Sequence, residues 1–567
     1  MADIVVNSGG NLQTAINSAS PGDTISLQAA ATWDGTFTLP DAGASEGSPI
    51  TIRSQNHAAL PSGRIAPADA VDMPRIRTVS VTGDGAFKAA ANAEHWILDG
   101  LEITDNAGSN VINTLVDIGL TNAGVHHITV QRCYIHQKET GASYERAVMR
   151  GVWVEGDNNT IKWNYIGPLI GYFYGQLNGT PMTTSAYLNV GASDGNLIED
   201  NYMDSWYAPI FTGGADSAPT HSSAMSAATT TEATLSNVTG IEVGTMLRFE
   251  LRFTATVAST GGSTATLTRT AGQTLVDPGD VAVIASDIYR GAIVFPTSGS
   301  SAVADVTAIA GNVYSIQYAT SSTQPADGSW LCVMYKTAIV TNVAGSVITY
   351  SPYETGYSAL NQDPDLTNVS WVAGGEGNTA DFTIRRNTIN IDSTFAAYNR
   401  TSGSGANSKG FWEMKSAYNL LVDGNYFTGG PSGIAWTGNN QNGTAPWVTV
   451  KNVTISNNWF EPDDAGSALA AQSFIITINP YKTTAPGDDF LITNNVFKNI
   501  SVLGVTHPRF SDVRIIHNTI INNTGSSGGG YNAALAGIGP VTDFVFKDNI
   551  VFYSSNGMSC QLAPNTL

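Results

Sequence analysis

Cysteine is scarce in this chain. Cys133, Cys332 and Cys560 lie far apart in 567 residues, and an odd, scattered set supplies neither a disulfide framework nor the ligand spacing of a metal site. Charge is sparse and one-sided: charged residues make up 13% of the sequence and the formal net charge is −20. That balance excludes the basic face that phosphate binding requires, and with it a nucleic-acid partner. It also repels acidic glycans unless a local basic patch or a bound cation intervenes. Ca2+ is compatible with such a surface, but no calcium-loop spacing places one, so no metal ligands are assigned. No run of about 18 apolar residues is present that could insert in a membrane. The amino terminus, MADIVVNSGG, lacks the basic-then-apolar pattern of an export signal. GxSxG, HExxH and P-loop signatures are missing too, leaving serine nucleophiles, zinc hydrolysis and nucleotide use without support.

What the chain does have is apolar content, glycine and a repeat. Hydrophobic residues reach 42% and glycine 58 positions, beside abundant Asn, Thr and Ser, a composition of extracellular or virion β proteins rather than helical cytosolic enzymes. Segments such as TIKWNYIG, NLIEDNYMD, NLLVDGNYFTG and LITNNVFKN share one arrangement. Its centres are Leu101, Cys133, Asn164, Asn201, Asn387, Asn425, Asn458, Asn495, Asn518 and Asn549. In all ten units the residue three before the centre and the residue two after it are apolar. Apart from one gap of 186, successive centres are 23 to 38 residues apart, which suits the coils of a solenoid rather than globular domains or a helical array. Asn tolerates left-handed backbone angles at a bend and can pass side-chain hydrogen bonds to the Asn above and below, so the centres are expected to form one ladder, with Cys133 on the same rung in an early coil.

The start of the chain agrees. Leu12, Ala15, Ile16 and Ala19 have the spacing of a short amphipathic helix, stopped by Pro21 and Gly22, and an open solenoid end needs such a cover. Taken with the Asn column, this opening resembles the right-handed parallel β-helix superfamily that includes pectate lyases and phage tailspikes, over roughly residues 3 to 216 and 376 to 560. The resemblance implies an all-β solenoid with an N-terminal capping helix. It also implies that glycans bind on one sheet, walled by the loops at its edges. By likeness to tailspikes it implies a homotrimer or contact with other virion proteins; with no amphipathic helix after Asn549 to cover the last coil, the expectation is that either the native chain continues or a partner subunit covers that end.

Between the two halves the composition turns to Ala, Thr, Ser and Val in alternating strands, with no Asn-centred unit. We therefore expect coils with a cap over 1–218, a small inserted β-domain over 219–375 and further coils over 376–567. Aligning the segments after Asn201 and Asn425 puts Ile210 on Ile434, so the insert leaves from the end of the first strand of a coil.

Alternation predicts which residues face outward on that sheet. Val152 and Val154 go inside, placing Trp153 and Glu155 outside; AYLNVG exposes Tyr187 and Asn189; and with Trp412 and Met414 inside, Phe411, Glu413 and Lys415 line the outer face. Aromatic faces mixed with polar groups suit sugar rings and hydroxyls. For hydrolysis the candidate catalytic carboxyls are Asp216 and Glu413. A uronate lyase would instead need a cation and a base such as Arg386 or Lys415, but the acidic calcium cluster of pectate lyases has no residue-by-residue match, which favours hydrolase over lyase. Three functions remain open: a phage tail or tailspike component that binds surface polysaccharide, a secreted glycan lyase or hydrolase, and a non-catalytic surface repeat protein. Each places the protein outside the cell or on a virion surface.

Overall fold

The apolar residues of the repeat form continuous columns. In the computed structural model Leu98, Val130, Ile161, Ile198, Ile384, Val422, Ile455, Ile492, Ile515 and Phe546 pair one above another as parallel neighbours. The residues two after each centre do the same, from Ile103 to Val551. Both columns point inward, and nearly all their side chains are wholly buried. The structure describes residues 1–78, 85–106, 114–119, 124–138, 150–169, 186–190, 193–205 and 210–212, and positions 112 and 148. From 221 to 562 it describes the strands and most of their bends, but not the longer connections.

The stack is a right-handed parallel β-helix of three long sheets. The first sheet, whose strands precede the centres, runs from Asp3–Val6 to Thr542–Lys547. The second follows the centres, from Thr32–Asp34 to Ile550–Tyr553, and the third runs from Phe37–Leu39 to Ser559–Leu562. The helix Leu12–Ser18 is capped by Asn11, whose side chain accepts from the Thr14 N–H, and it buries Leu12, Ala15 and Ile16 in the solenoid core. Among the described residues no helix is long and apolar enough to cross a membrane.

The asparagines are a hydrogen-bonded wire. From Asn164 to Asn549 each side-chain Nδ2 donates to the Oδ1 of the next at 2.9 to 3.1 Å. Each Oδ1 also accepts the backbone N–H of the preceding Asn. Cys133 takes the same rung: its N–H donates to Asn164 Oδ1 at 2.8 Å, and its thiol faces the carbonyls of Leu98 and Gln131. Those carbonyls match the ones that Asn387 Nδ2 reaches at Ile198 and Arg385.

One expectation about the bend is corrected. The asparagines do not carry the left-handed angles; the residue before each centre does. Gly100, Arg132, Trp163, Asp200, Arg386, Gly424, Asn457, Asn494, His517 and Asp548 have φ between 51 and 66°. A second left-handed column lies six residues before each centre, from His95 and His127 through Asn158 and Gly195 to Asp543, with φ between 45 and 67°. Hydrogen bonding rather than backbone tolerance therefore selects Asn at the centre. These left-handed positions are filled by residues as different as Gly, Asp, Asn, Arg, His and Trp, which is why no single residue type marked them.

The ladder also crosses the long gap, since Asn201 Nδ2 donates to Asn387 Oδ1 over 186 positions of sequence. Among the described residues, the strands from His221–Ala228 to Trp371–Gly374 pair with one another, antiparallel, in a closed barrel. Ala233, Leu235, Ile241, Leu247, Val340, Ile348 and Tyr350 form a core of their own there, apart from the solenoid core. In chain order the barrel follows the third-sheet strand Ile210–Thr212, and Ile210, Trp412 and Ile434 stand in one column.

Candidate functional site

Parallel pairing in the third sheet sets a second row of register positions beside the buried column of Val116, Val152 and Ile210. In register order it reads Thr38, Lys88, Asp117, Trp153, Asn189, Phe211, Glu413, Ala435 and Thr477. The strand Arg150–Val154 holds the best-defined part. Its two valines are buried and Trp153 is half-buried. The Trp153 indole N–H donates to Glu155 Oε2 at 2.8 Å, fixing the ring on the strand. The Arg150 guanidinium stands 4.2 Å from the ring centroid, a cation–π contact. Burial lowers Arg150 to about 10, which still leaves it charged at neutral pH. Asp117, one coil earlier, is only 2% exposed.

This group joins a planar aromatic ring, a carboxylate held to it and a cation on the same strand, with Lys88 two coils earlier in the row. A ring so fixed can stack on the apolar face of a sugar, while Glu155 accepts from hydroxyls and Arg150 and Lys88 offset local negative charge.

The other sequence-selected residues divide into three groups. Tyr187 and Asn189 lie on the strand Ala186–Val190, and Glu413 on Trp412–Met414, directly across from Phe211. Asp216 and Lys415 fall outside the described residues. Phe411 is a correction: expected on the outer face, it is fully buried and packs on Phe427 with ring centroids 5.4 Å apart. The strand begins at Trp412, and the chain bends at Phe411. Two-residue alternation does not extend through a bend, so Phe411 and Trp412 both turn inward. Arg386, the alternative base, donates to Glu199 and to both oxygens of Asp200 at 2.8 to 3.0 Å. Its bonds to Asp200, above all, push its pKa above the usual arginine value, which favours its protonated form.

Sequence reasoning missed an outward row on the second sheet: Tyr134, Tyr165, Tyr202, Thr388, Tyr426 and Trp459. Tyr165 and Tyr202 stack at 4.7 Å. Trp459 repeats the Trp153 arrangement, donating to Glu461 two residues on at 2.9 Å, and the Glu461 carboxylate also pairs with Lys498. The spacing W-x-E at 153–155 and 459–461 was the available signal.

No family model matches the sequence, and no curated protein matches it. Among solved structures, an alginate lyase from Paenibacillus sp. str. FPU-7 is similar over 97% of this chain and 99% of its own, at 11% identity and a TM-score of 0.34. The PL6 family alginate lyase AlyGC is similar over 95% of this chain and 85% of its own, at 11% identity and a TM-score of 0.15.

Proposed function

We propose that this protein binds polysaccharide along the outside of the third sheet, across the coils that carry Lys88, Asp117, Trp153 and Asn189. The observation that carries the reading is Trp153, locked to Glu155 at 2.8 Å and backed by Arg150 at 4.2 Å. A hydrophobic platform with fixed polar edges is what a pyranose ring needs, and parallel coils about 4.8 Å apart repeat that platform along a chain of sugars. Arg150 and Lys88 favour acidic sugars, which the net charge of −20 would otherwise repel.

The finer reading is a phage tail or tailspike-type receptor-binding component at a virion surface. On the outer flank of the second sheet Ile550 and Phe552 are 56% and 57% accessible, an apolar patch suited to a partner subunit. A homotrimer by light scattering supports this, and a monodisperse monomer opposes it. If the protein also cleaves its ligand, Asp216 and Glu413 are the proposed carboxyl pair, one as acid and the other as base or nucleophile. The test is incubation with a panel of bacterial, plant and algal polysaccharides, reading binding, new reducing ends and absorbance from unsaturated sugars. Binding to none of them overturns the reading. With a cleaved substrate, Glu413→Gln should abolish turnover and spare binding.

A further inference from the structure

Away from the third-sheet face, one corner of the solenoid gathers three imidazoles. His95 and His127 occupy the second left-handed column in adjacent coils, and His126 precedes His127. The His95 and His127 rings stack at 4.6 Å, and His126 meets His127 edge-on at 5.0 Å. One nitrogen from each ring can be chosen so that all three lie within 4.8 Å of one another. The backbone beneath them is fixed by the coil stack: His126 N–H donates to Ala93 O at 3.1 Å, His127 N–H to Asp157 O at 2.9 Å, and His95 O accepts from Ile50 N–H at 3.1 Å.

The surroundings are anionic. Glu94 lies 3.8 Å from His95 Nε2 and 3.5 Å from His126 Nε2. Glu46 is close enough to act on His127, and Asp157 on both His126 and His127. His126 Nδ1 and His127 Nδ1 stand 2.9 Å apart, so one shared proton must sit between two nitrogen lone pairs, the place a metal ion takes when it displaces that proton.

From this geometry we infer that His95, His126 and His127, with Glu94 beside them, form a binding site for a divalent transition-metal ion of the zinc class. Imidazole donors suit Zn2+, Ni2+ and Cu2+, whereas Ca2+ takes oxygen ligands. Tetrahedral Zn–N bonds of about 2.0–2.1 Å put ligand nitrogens roughly 3.3 Å apart, a contraction that rotation of these partly exposed rings supplies. The ion would tie two neighbouring coils together at a corner where the backbone is left-handed.

The test uses the full chain, stripped with a chelator and then freed of it. Zn2+ is titrated calorimetrically, and Co2+ by its visible spectrum. We expect one tight equivalent, a Co2+ spectrum of tetrahedral intensity, and no competition from excess Ca2+. His95→Asn and His127→Asn preserve the fold because Asn158 fills the same left-handed position in the next coil. Paired with unchanged circular dichroism, each should weaken Zn2+ binding by roughly 100-fold or more. His517→Ala, in a distant coil and 61% exposed, should leave binding intact. Absence of a stoichiometric Zn2+ site in the parent, or equal affinity in the His127→Asn variant, would overturn the assignment.

Discussion

Truncating one rung of the asparagine wire tests how the coils are held. In the parent, Asn425 Oδ1 accepts from the Asn387 N–H at 2.9 Å and from Asn387 Nδ2 at 3.0 Å. Asn425 Nδ2 donates to Ile384 O at 3.0 Å and Asn458 Oδ1 at 2.9 Å. Its Nδ2 also reaches Asp423 O at 3.3 Å, so Asn425→Ala removes five contacts, but their losses are unequal. Asn387 Nδ2 keeps Ile198 O and Arg385 O, and Asn458 Oδ1 keeps the residue 425 N–H. The Asn387 N–H loses its side-chain acceptor in a residue only 1% exposed. An orphaned buried donor costs about 1–3 kcal/mol, and the vacated volume adds to it, so the total is about 2–4 kcal/mol. Because neighbouring coils carry most of a solenoid's stability, the loss should be local. Native-state hydrogen exchange should quicken at Asn387 and its sheet neighbours, with the urea midpoint falling. Asn452→Gly, at an exposed left-handed position, is the comparison and should cost no more than a few tenths of a kcal/mol. If Asn425→Ala were as mild as Asn452→Gly, the wire would be an ornament of the fold and not a source of its stability.

Three further outcomes are expected. Deleting residues 219–375 and joining the flanking segments should leave a folded solenoid, since the ladder passes directly from Asn201 to Asn387; a coil-like circular dichroism spectrum would refute the proposed independence. Burial, with Asp381 and Asp157 nearby, raises Asp194 from 3.8 to about 6. The folded state thus holds this proton more tightly than the unfolded one, and the associated stability is full below pH 4 and lost as pH rises through 6. Asp194→Asn should therefore raise the melting temperature at pH 7.5 and change it little at pH 4, and an equal shift at both would contradict the cause. Finally, burial pushes the Cys133 thiol up to about 12, so peptide mapping after iodoacetamide should find Cys133 unmodified in the native protein and alkylated in urea.

The fold was legible because its information is periodic. Ten units with apolar residues at fixed offsets predict both inward columns, and every one of those positions is found in register. The capping helix was equally readable from Leu12, Ala15 and Ile16, which are all buried. Local geometry at bends was not. Phe411 was misplaced because alternation holds within a strand and fails one residue before it. The left-handed angles were given to the asparagines although Arg132, Trp163 and His517 bear them. The histidine corner was invisible as a motif, since His95 and His127 are 32 residues apart and meet only through stacking. Their common offset, six before Leu101 and six before Cys133, was nonetheless present in the sequence. The third-sheet face was partly legible for the same reason: alternation gave Trp153 and Glu155, while Lys88, Asp117 and Phe211 joined their row only through pairing between coils.

The most direct test of the glycan-binding face sets its tryptophan against the corresponding one on the second sheet. Trp153 and Trp459 each donate to a glutamate two residues on, at 2.8 and 2.9 Å, so Trp153→Ala and Trp459→Ala remove equivalent groups from different faces. Affinity for whichever polysaccharide the parent binds is then measured calorimetrically for all three proteins. Loss of one stacking platform is worth about 1–3 kcal/mol by analogy with other ring-on-ring contacts, or roughly 5- to 150-fold in Kd. Trp153→Ala should weaken binding by that factor and Trp459→Ala should leave it unchanged. Full affinity in Trp153→Ala, with the loss falling on Trp459→Ala instead, would contradict the account and move the binding face to the second sheet.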